Sequence, residues 1–129
     1  MAFEADFVTH CKANAGIAGL IGGRLYPLRV PQDVNLPSAA YQVISAPRDH
    51  AHTGAGGLVH MRMQITCQAK DYGAAKGLSE AFRACLDGYK GTMGSTSVDS
   101  CLMVNESDAW GTSLSMPVKR IDFMIWYHE

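Results

Sequence analysis

The cleanest alternation in the chain runs through residues 58–69, where Val59, Met61, Met63, Ile65 and Cys67 share one side and His60, Arg62, Gln64, Thr66 and Gln68 share the other. A period of two is that of a strand with one face on a core and the other on water or a partner. The same period returns at residues 118–127, with Ile121, Phe123, Ile125 and Tyr127 set against Arg120, Asp122, Met124 and Trp126. A strand this apolar belongs inside a sheet. From Asp71 the period lengthens to that of a helix. Tyr72, Ala75, Leu78, Phe82, Cys85, Leu86 and Tyr89 form an apolar stripe opposite Lys76, Glu80 and Arg83. Asp71 is its expected N-cap, and Gly88 or Gly91 its expected stop.

The remaining segments carry weaker patterns. Residues 3–14 place Phe3, Phe7, Val8 and Cys11 at helical spacing, with Glu4 and Asp6 in the first turn where the helix dipole favours anions. Residues 15–23, broken by four glycines, read as a tight connector rather than a helix. The two prolines in residues 24–31 remove ladder donors and confine that stretch to a sheet edge or an extended loop. Residues 39–45 read as a strand that stops at Pro47. Residues 46–57 have no apolar period and read as a long loop between paired strands. Residues 92–97 and 110–115 read as further loops around a strand at 98–107 that holds Cys101 and Met103. The expected fold class is α+β: a mostly antiparallel sheet of four to five strands with two helices packed on one face. There is no internal repeat.

Composition narrows the function. A chain of 129 residues is the size of one domain, and 47% hydrophobic against 18% charged residues is enough to build a core. Its net charge of -1 offers no basic field for phosphates or an anionic membrane. The acidic N-terminal residues and the shortness of the apolar stretch at 15–23 lead to the expectation of a soluble, unexported protein without a membrane contact. Cys11, Cys67, Cys85 and Cys101 contain no C-x-x-C pair, which disfavours a zinc ribbon or a disulfide scaffold; buried free thiols are expected.

Chemistry-bearing clusters are few. Asp49, His50 and His52 place a carboxylate and two imidazoles within four residues, but an H-x-H in a loop has no third or fourth ligand of known position, so a solvated turn is the plainer reading. The glycines of residues 54–57 lack the Lys-Ser/Thr pair of a phosphate cradle, and no G-x-S-x-G nucleophile elbow occurs. No spacing marks a catalytic pair of carboxylates. His60 and Arg62 lie on the outer side of the alternating strand, where an inter-subunit contact or plain solvation would both suit them. Trp110, Trp126 and Tyr127 could anchor a partner, though core packing or strand pairing is the stronger expectation for the last two. No enzyme activity, cofactor or metal is expected.

The order of several segments carries more than any single motif. Arg24-Leu25-Tyr26-Pro27-Leu28-Arg29-Val30-Pro31-Gln32, then Leu36-Pro37-Ser38-Ala39-Ala40-Tyr41-Gln42-Val43-Ile44-Ser45, the following Ala46-Pro47-Arg48-Asp49-His50, the helix from Asp71 to Gly88, and the closing Arg120-Ile121-Asp122-Phe123-Met124-Ile125-Trp126-Tyr127 together resemble the tail completion, or tail terminator, proteins of long-tailed phages. The likeness spans nearly the whole chain. It implies a small α+β subunit of the virion that forms a homohexameric ring at the head-proximal end of the tail tube, stops tube growth and meets the head–tail connector, with duplex DNA passing through the lumen without sequence-specific binding. The resemblance brings no catalytic residue and no cofactor. Arg48, Asp49, His50 and His52 are the candidate contacts to a neighbour or the connector, because loops carry recognition more often than cores do. Rival readings are a head-closure protein that binds the portal side and a small metal-dependent enzyme resting on His50 and His52.

Overall fold

Phe3, Phe7 and Cys11 do lie on one side of a helix, α1 (Ala2–Ala13), and all three are buried. The computed structural model describes residues 2–31, 35–51, 54–111 and 116–128. Asn14 ends α1 and at once starts α2 (Ala15–Ile21), accepting the Ile17 amide on its side-chain oxygen at 3.1 Å. The expected glycine-rich connector is therefore a short helix. Ile17 and Ile21, one turn apart, are both buried, and that apolar pair outweighs the propensity cost of Gly16 and Gly19. Gly22 closes α2 at φ 59°, a conformation that glycine adopts without steric cost.

The strands follow as β1 (Leu25–Pro27), β2 (Ser38–Ser45), β3 (Arg48–Ala51), β4 (Gly54–Gln68), then α3 (Tyr72–Leu86), and β5 (Tyr89–Met93), β6 (Thr96–Gly111) and β7 (Met116–His128). They form one sheet in the order β1-β2-β4-β7-β6-β5, with β3 paired to β4. The proline-bearing β1 sits at the edge, as the missing ladder donor requires, and runs parallel to β2, while the other pairs are antiparallel. Among the described residues there are thus seven strands and three helices in a mixed sheet, against the expected four to five antiparallel strands and two helices. Of the additional strands, β3 arose where a loop had been expected, while β5 takes Tyr89 from the end of the expected helical stripe, α3 having stopped at Leu86, and Thr92 and Met93 from the expected loop. Residues 48–51 and 54–59 pair as a hairpin, and residues 92–97 contain only a tight turn at Gly94 and Ser95 between β5 and β6. Both are held by backbone pairing rather than by an alternating apolar face, so periodicity carries no trace of them. Trp110 and Gly111 likewise extend β6 where a loop was expected.

The core lies between the helices and one face of the sheet. Val59, Met61, Met63, Ile65 and Cys67 of β4 and Ile121, Phe123, Ile125 and Tyr127 of β7 are buried, and they form one cluster with Phe3 and Phe7 of α1, Ile17 and Ile21 of α2, and Leu78, Phe82 and Leu86 of α3. The Phe3 ring stacks on Tyr127 with centroids 4.1 Å apart. Asp71 caps α3 by accepting the Ala74 amide at 2.8 Å, as its position predicted.

One contact anchors α1 to the far edge of the sheet. The Asp6 carboxylate accepts the Thr96 hydroxyl at 2.7 Å and both the backbone amide and the hydroxyl of Ser95 at 3.2 Å. The Thr96 hydroxyl foremost holds this carboxyl below its ordinary range. The turn beneath it needs Gly94, whose φ is 57° and whose missing Cβ leaves room for the Asp6 carboxylate. Gly94→Ala is expected to cost about 1–2 kcal/mol in left-handed backbone strain, more where Asp6 is displaced, read as a lowered urea midpoint.

Candidate functional site

The face of the sheet away from the helices is where the outer residues of β4 and β7 meet. His60 lies opposite Trp126, Arg62 opposite Met124 and Gln64 opposite Asp122. Arg62 reaches diagonally to Asp122, donating from Nε at 3.1 Å and from Nη2 at 2.7 Å to one carboxylate oxygen, while Gln64 Nε2 donates to the other at 3.1 Å. Covered in this way, Asp122 is only 4% exposed despite standing on the outer side. Every carboxylate oxygen has a donor, which is the condition under which a buried charge is tolerated. The His60 and Trp126 rings lie 5.9 Å apart and tilted. Ile44 and Leu102 extend this face towards β2 and β6, and each is about half exposed. It is a mixed apolar and polar surface that the three helices leave uncovered.

At one end the sheet continues past this face. β4 pairs with β7 only from Leu58, which lies opposite His128, so Gly54–Gly57 run beyond the end of β7 with β3 as their partner. Arg48 lies opposite Val59 and His50 opposite Ala55, with a bulge between them, and the Pro47 carbonyl accepts the His60 amide at 3.0 Å. The backbone of Arg48, Asp49 and His50 is therefore on a projecting hairpin, not in an open loop; His52 lies outside the described residues. His60 and Arg62 stand on β4 in the body of the sheet, so the five described candidate residues divide between an arm and the face at its base. Nearby, His128 Nε2 lies 2.9 Å from the Asp99 carboxylate on β6.

The opposite end of the sheet holds a charge cluster that alternation could have revealed. Lys119 falls in step with Ile121, Phe123 and Ile125, so it points to the helix side, and its side chain is 7% exposed. Its Nζ reaches Glu106 at 2.8 Å and Asp108 at 2.9 Å, and donates to the Tyr72 hydroxyl at 3.4 Å, which in turn donates to Asp108 at 3.1 Å. This ties the first turn of α3 to the β6–β7 hairpin. Glu106, then Asp108, raise Lys119 above the ordinary lysine value, and Lys119 foremost lowers Asp108 below the ordinary carboxylate value. The raised cation contributes below the lysine value of about 10.4 and loses its contribution as pH rises through its folded value; the lowered carboxylate contributes above about 3.9 and loses it as pH falls. The urea midpoint gap between wild type and Lys119→Met is expected to be flat between those limits and to shrink beyond each.

Among the described residues no three His, Cys, Asp or Glu side chains converge to hold a metal ion. Cys11, Cys67 and Cys101 are buried free thiols and Cys85 is half-buried. No described helix is long and apolar enough to cross a membrane.

The described residues thus form an α+β body with one uncovered sheet face and a hairpin at the end of that sheet. Residues 5–127 match the family described as tail completion protein gp17, and the chain belongs to that family, whose members are structural proteins of the phage tail. A chain from the virion of a native gene transfer agent particle has the same fold, with a TM-score of 0.72 and 17% identity over 99% of this chain and 96% of that one. No curated protein matches.

Proposed function

We propose that this subunit is the terminator of the tail: six copies close into a ring on the head-proximal end of the tube, stop its growth and present a surface to the head connector. The observation that carries the reading is the division of the sheet, one face under three helices and the other uncovered, with the β3–β4 hairpin projecting from its end. A ring of like subunits needs two complementary surfaces on each copy. The uncovered face around His60 and Trp126 and the arm bearing Arg48, Asp49 and His50 are the pair assigned here. Arg62 is held by Asp122, so it shapes that face rather than offering a free charge.

Size and charge support the same arrangement. A compact chain of this length has a radius of gyration of about 14 Å and a width of about 35 Å, so six touching copies enclose a hole about one subunit wide, enough for a DNA duplex. A net charge of -1 leaves the lumen without the many phosphate contacts that would hold DNA in transit.

Tails assembled without this protein are expected in electron micrographs as tubes of uncontrolled length that lack heads. Tails that reach normal length and fill with genome in its absence overturn the proposal. Added to isolated tails and isolated heads, the purified protein is expected on the tails; binding only to heads identifies a head-closure protein instead. The doubly substituted Arg48→Ala/His50→Ala protein is expected to fold but to fail in ring closure or head joining, and normal rings and joining reject the role given to the arm.

A further inference from the structure

The two sides of the sheet carry features that the outer face and the arm do not use. Beside β1 lies a groove of about 530 Å³ lined by Pro27, Leu28, Arg29, Pro31 and Gln42. Its rim is a tight turn in which the Leu28 amide donates to the Tyr41 carbonyl and the Arg29 amide to the Pro27 carbonyl, each at 2.8 Å. Leu28 is held there at φ 68°, a backbone that a bulky side chain adopts only under strain. The strain serves no core contact, because the turn leaves Leu28 72% exposed. β1 ends opposite Tyr41, and Ile44, about half exposed, follows on β2 past that end.

The other side is open as well. β5 pairs with β6 only between Thr96 and Cys101, and among the described residues no strand lies beyond β6 from Val104 to Gly111. Val104 is the extra residue of a bulge between Met103 and Asn105, and a bulge at an edge re-aims a side chain. Val104 and Leu102 are each about half exposed. Strand register puts the two sides level. Gln42 lies opposite Gln64, Gln64 opposite Asp122 and Asp122 opposite Asn105, so one rung runs from the groove to the bulge; a second, from Ser45 through Arg62 and Met124, reaches Leu102. Leu28 and Ile44 therefore stand at the heights of Val104 and Leu102. Charge is complementary too. Residues 24–31 hold two arginines and no acid, and residues 104–111 hold two acids and no base, Glu106 and Asp108 sharing Lys119 between them. Arg24 donates to the Pro37 and Leu20 carbonyls, which leaves Arg29 as the exposed cation at the groove.

We propose that these sides are the two halves of a head-to-tail contact between copies of this chain: the β6 edge around Val104 of one subunit seats against the Leu28 groove of the next, with Leu102 near Ile44 and Arg29 facing Glu106. The proposal rests on the reading of the chain as a ring-forming subunit. Copies related by rotation about an axis along the strands keep their height, so a closed ring needs its two contact halves level on each subunit. The contact is apolar at its centre and charged at its rim, as recognition surfaces are. The strained turn presents its leucine to a neighbour instead of to its own core.

The test places the photoreactive residue p-benzoylphenylalanine at Val104 of the purified full chain and adds a mixture of ordinary and heavy-isotope forms of that chain to isolated tails and isolated heads. Irradiation on the tails is expected to join residue 104 of one copy to residues 27–31 or 42–44 of another, seen as hybrid masses. Leu28→Asn, polar and more tolerant of positive φ, is expected to hold or raise the melting temperature and to lower ring formation in electron micrographs at least about tenfold. Val104→Asp, which sets a further charge beside Glu106, is expected to lower it likewise with the fold intact. Normal ring formation by either variant, or cross-links confined to one copy or to another tail protein, overturns the proposal. Tails capped normally without the cross-link between residue 104 and the groove overturn this contact and leave the terminator reading standing. Binding to heads alone removes that reading, and the same cross-link between copies on the heads upholds the contact.

Discussion

Phe123→Ala is expected to lower the free energy of unfolding by about 3–5 kcal/mol, the cost of removing a large ring from a core that cannot collapse around the space. Phe123 is fully buried on β7, the strand between β4 and β6, with Met63 opposite on one side and Met103 on the other. Because two strands and the helical layer all close on this position, the loss is shared by every element. Equilibrium urea unfolding measures it directly, with the slope unchanged if the unfolded state is unaffected. Trp110→Ala, at a ring 59% exposed near the end of β6, serves as the contrast and is expected to change stability by about 0.5 kcal/mol or less. A loss below about 1 kcal/mol at Phe123 would show that it does not fill the core.

The second large effect is electrostatic. Arg62→Ala leaves the Asp122 carboxylate buried with Gln64 as its remaining side-chain donor. Fully buried pairs broken in this way lose about 3–5 kcal/mol, and since the Arg62 side chain is 36% exposed the expected loss here is about 2 kcal/mol. Combining Arg62→Ala with Asp122→Asn removes the stranded charge and is expected to recover part of that loss. The double-mutant cycle then gives the coupling of the pair. Equal losses in the single and double variants would show that the cost is lost packing of the arginine stem rather than charge.

The parts of the fold legible in the sequence are those in which burial imposes a period. β4, β7 and α3 bury one face each, so Met61, Met63 and Ile65, or Leu78 and Phe82, repeat at the spacing their backbone dictates. β3 and β5 lack that repeat because their pairing is between backbones: Arg48 to Ala51 and Tyr89 to Met93 offer no run of inward apolar residues. α2 was hidden by its glycines, although the Ile17 and Ile21 spacing was a helical signal. At the candidate site, alternation placed His60 and Arg62 on the outer side of β4. That Arg62 is engaged by Asp122 depends on strand register, which the chain encodes only through long-range pairing. The inward lysine at 119 was open to the same parity rule that found Ile121 and Phe123, and Glu106 and Asp108 two apart on β6 are its natural complement.

The central place of β7 has a consequence for biogenesis. β4 and β6 are not neighbours; they are joined only through β7, which the ribosome makes after both. Until it emerges, each nascent strand offers an open edge and the apolar side meant for the core is bare, a state that chaperones exist to shield. Insertion of this one segment completes both ladders, so a translation product truncated before β7 lacks the strand that joins the two halves of the sheet.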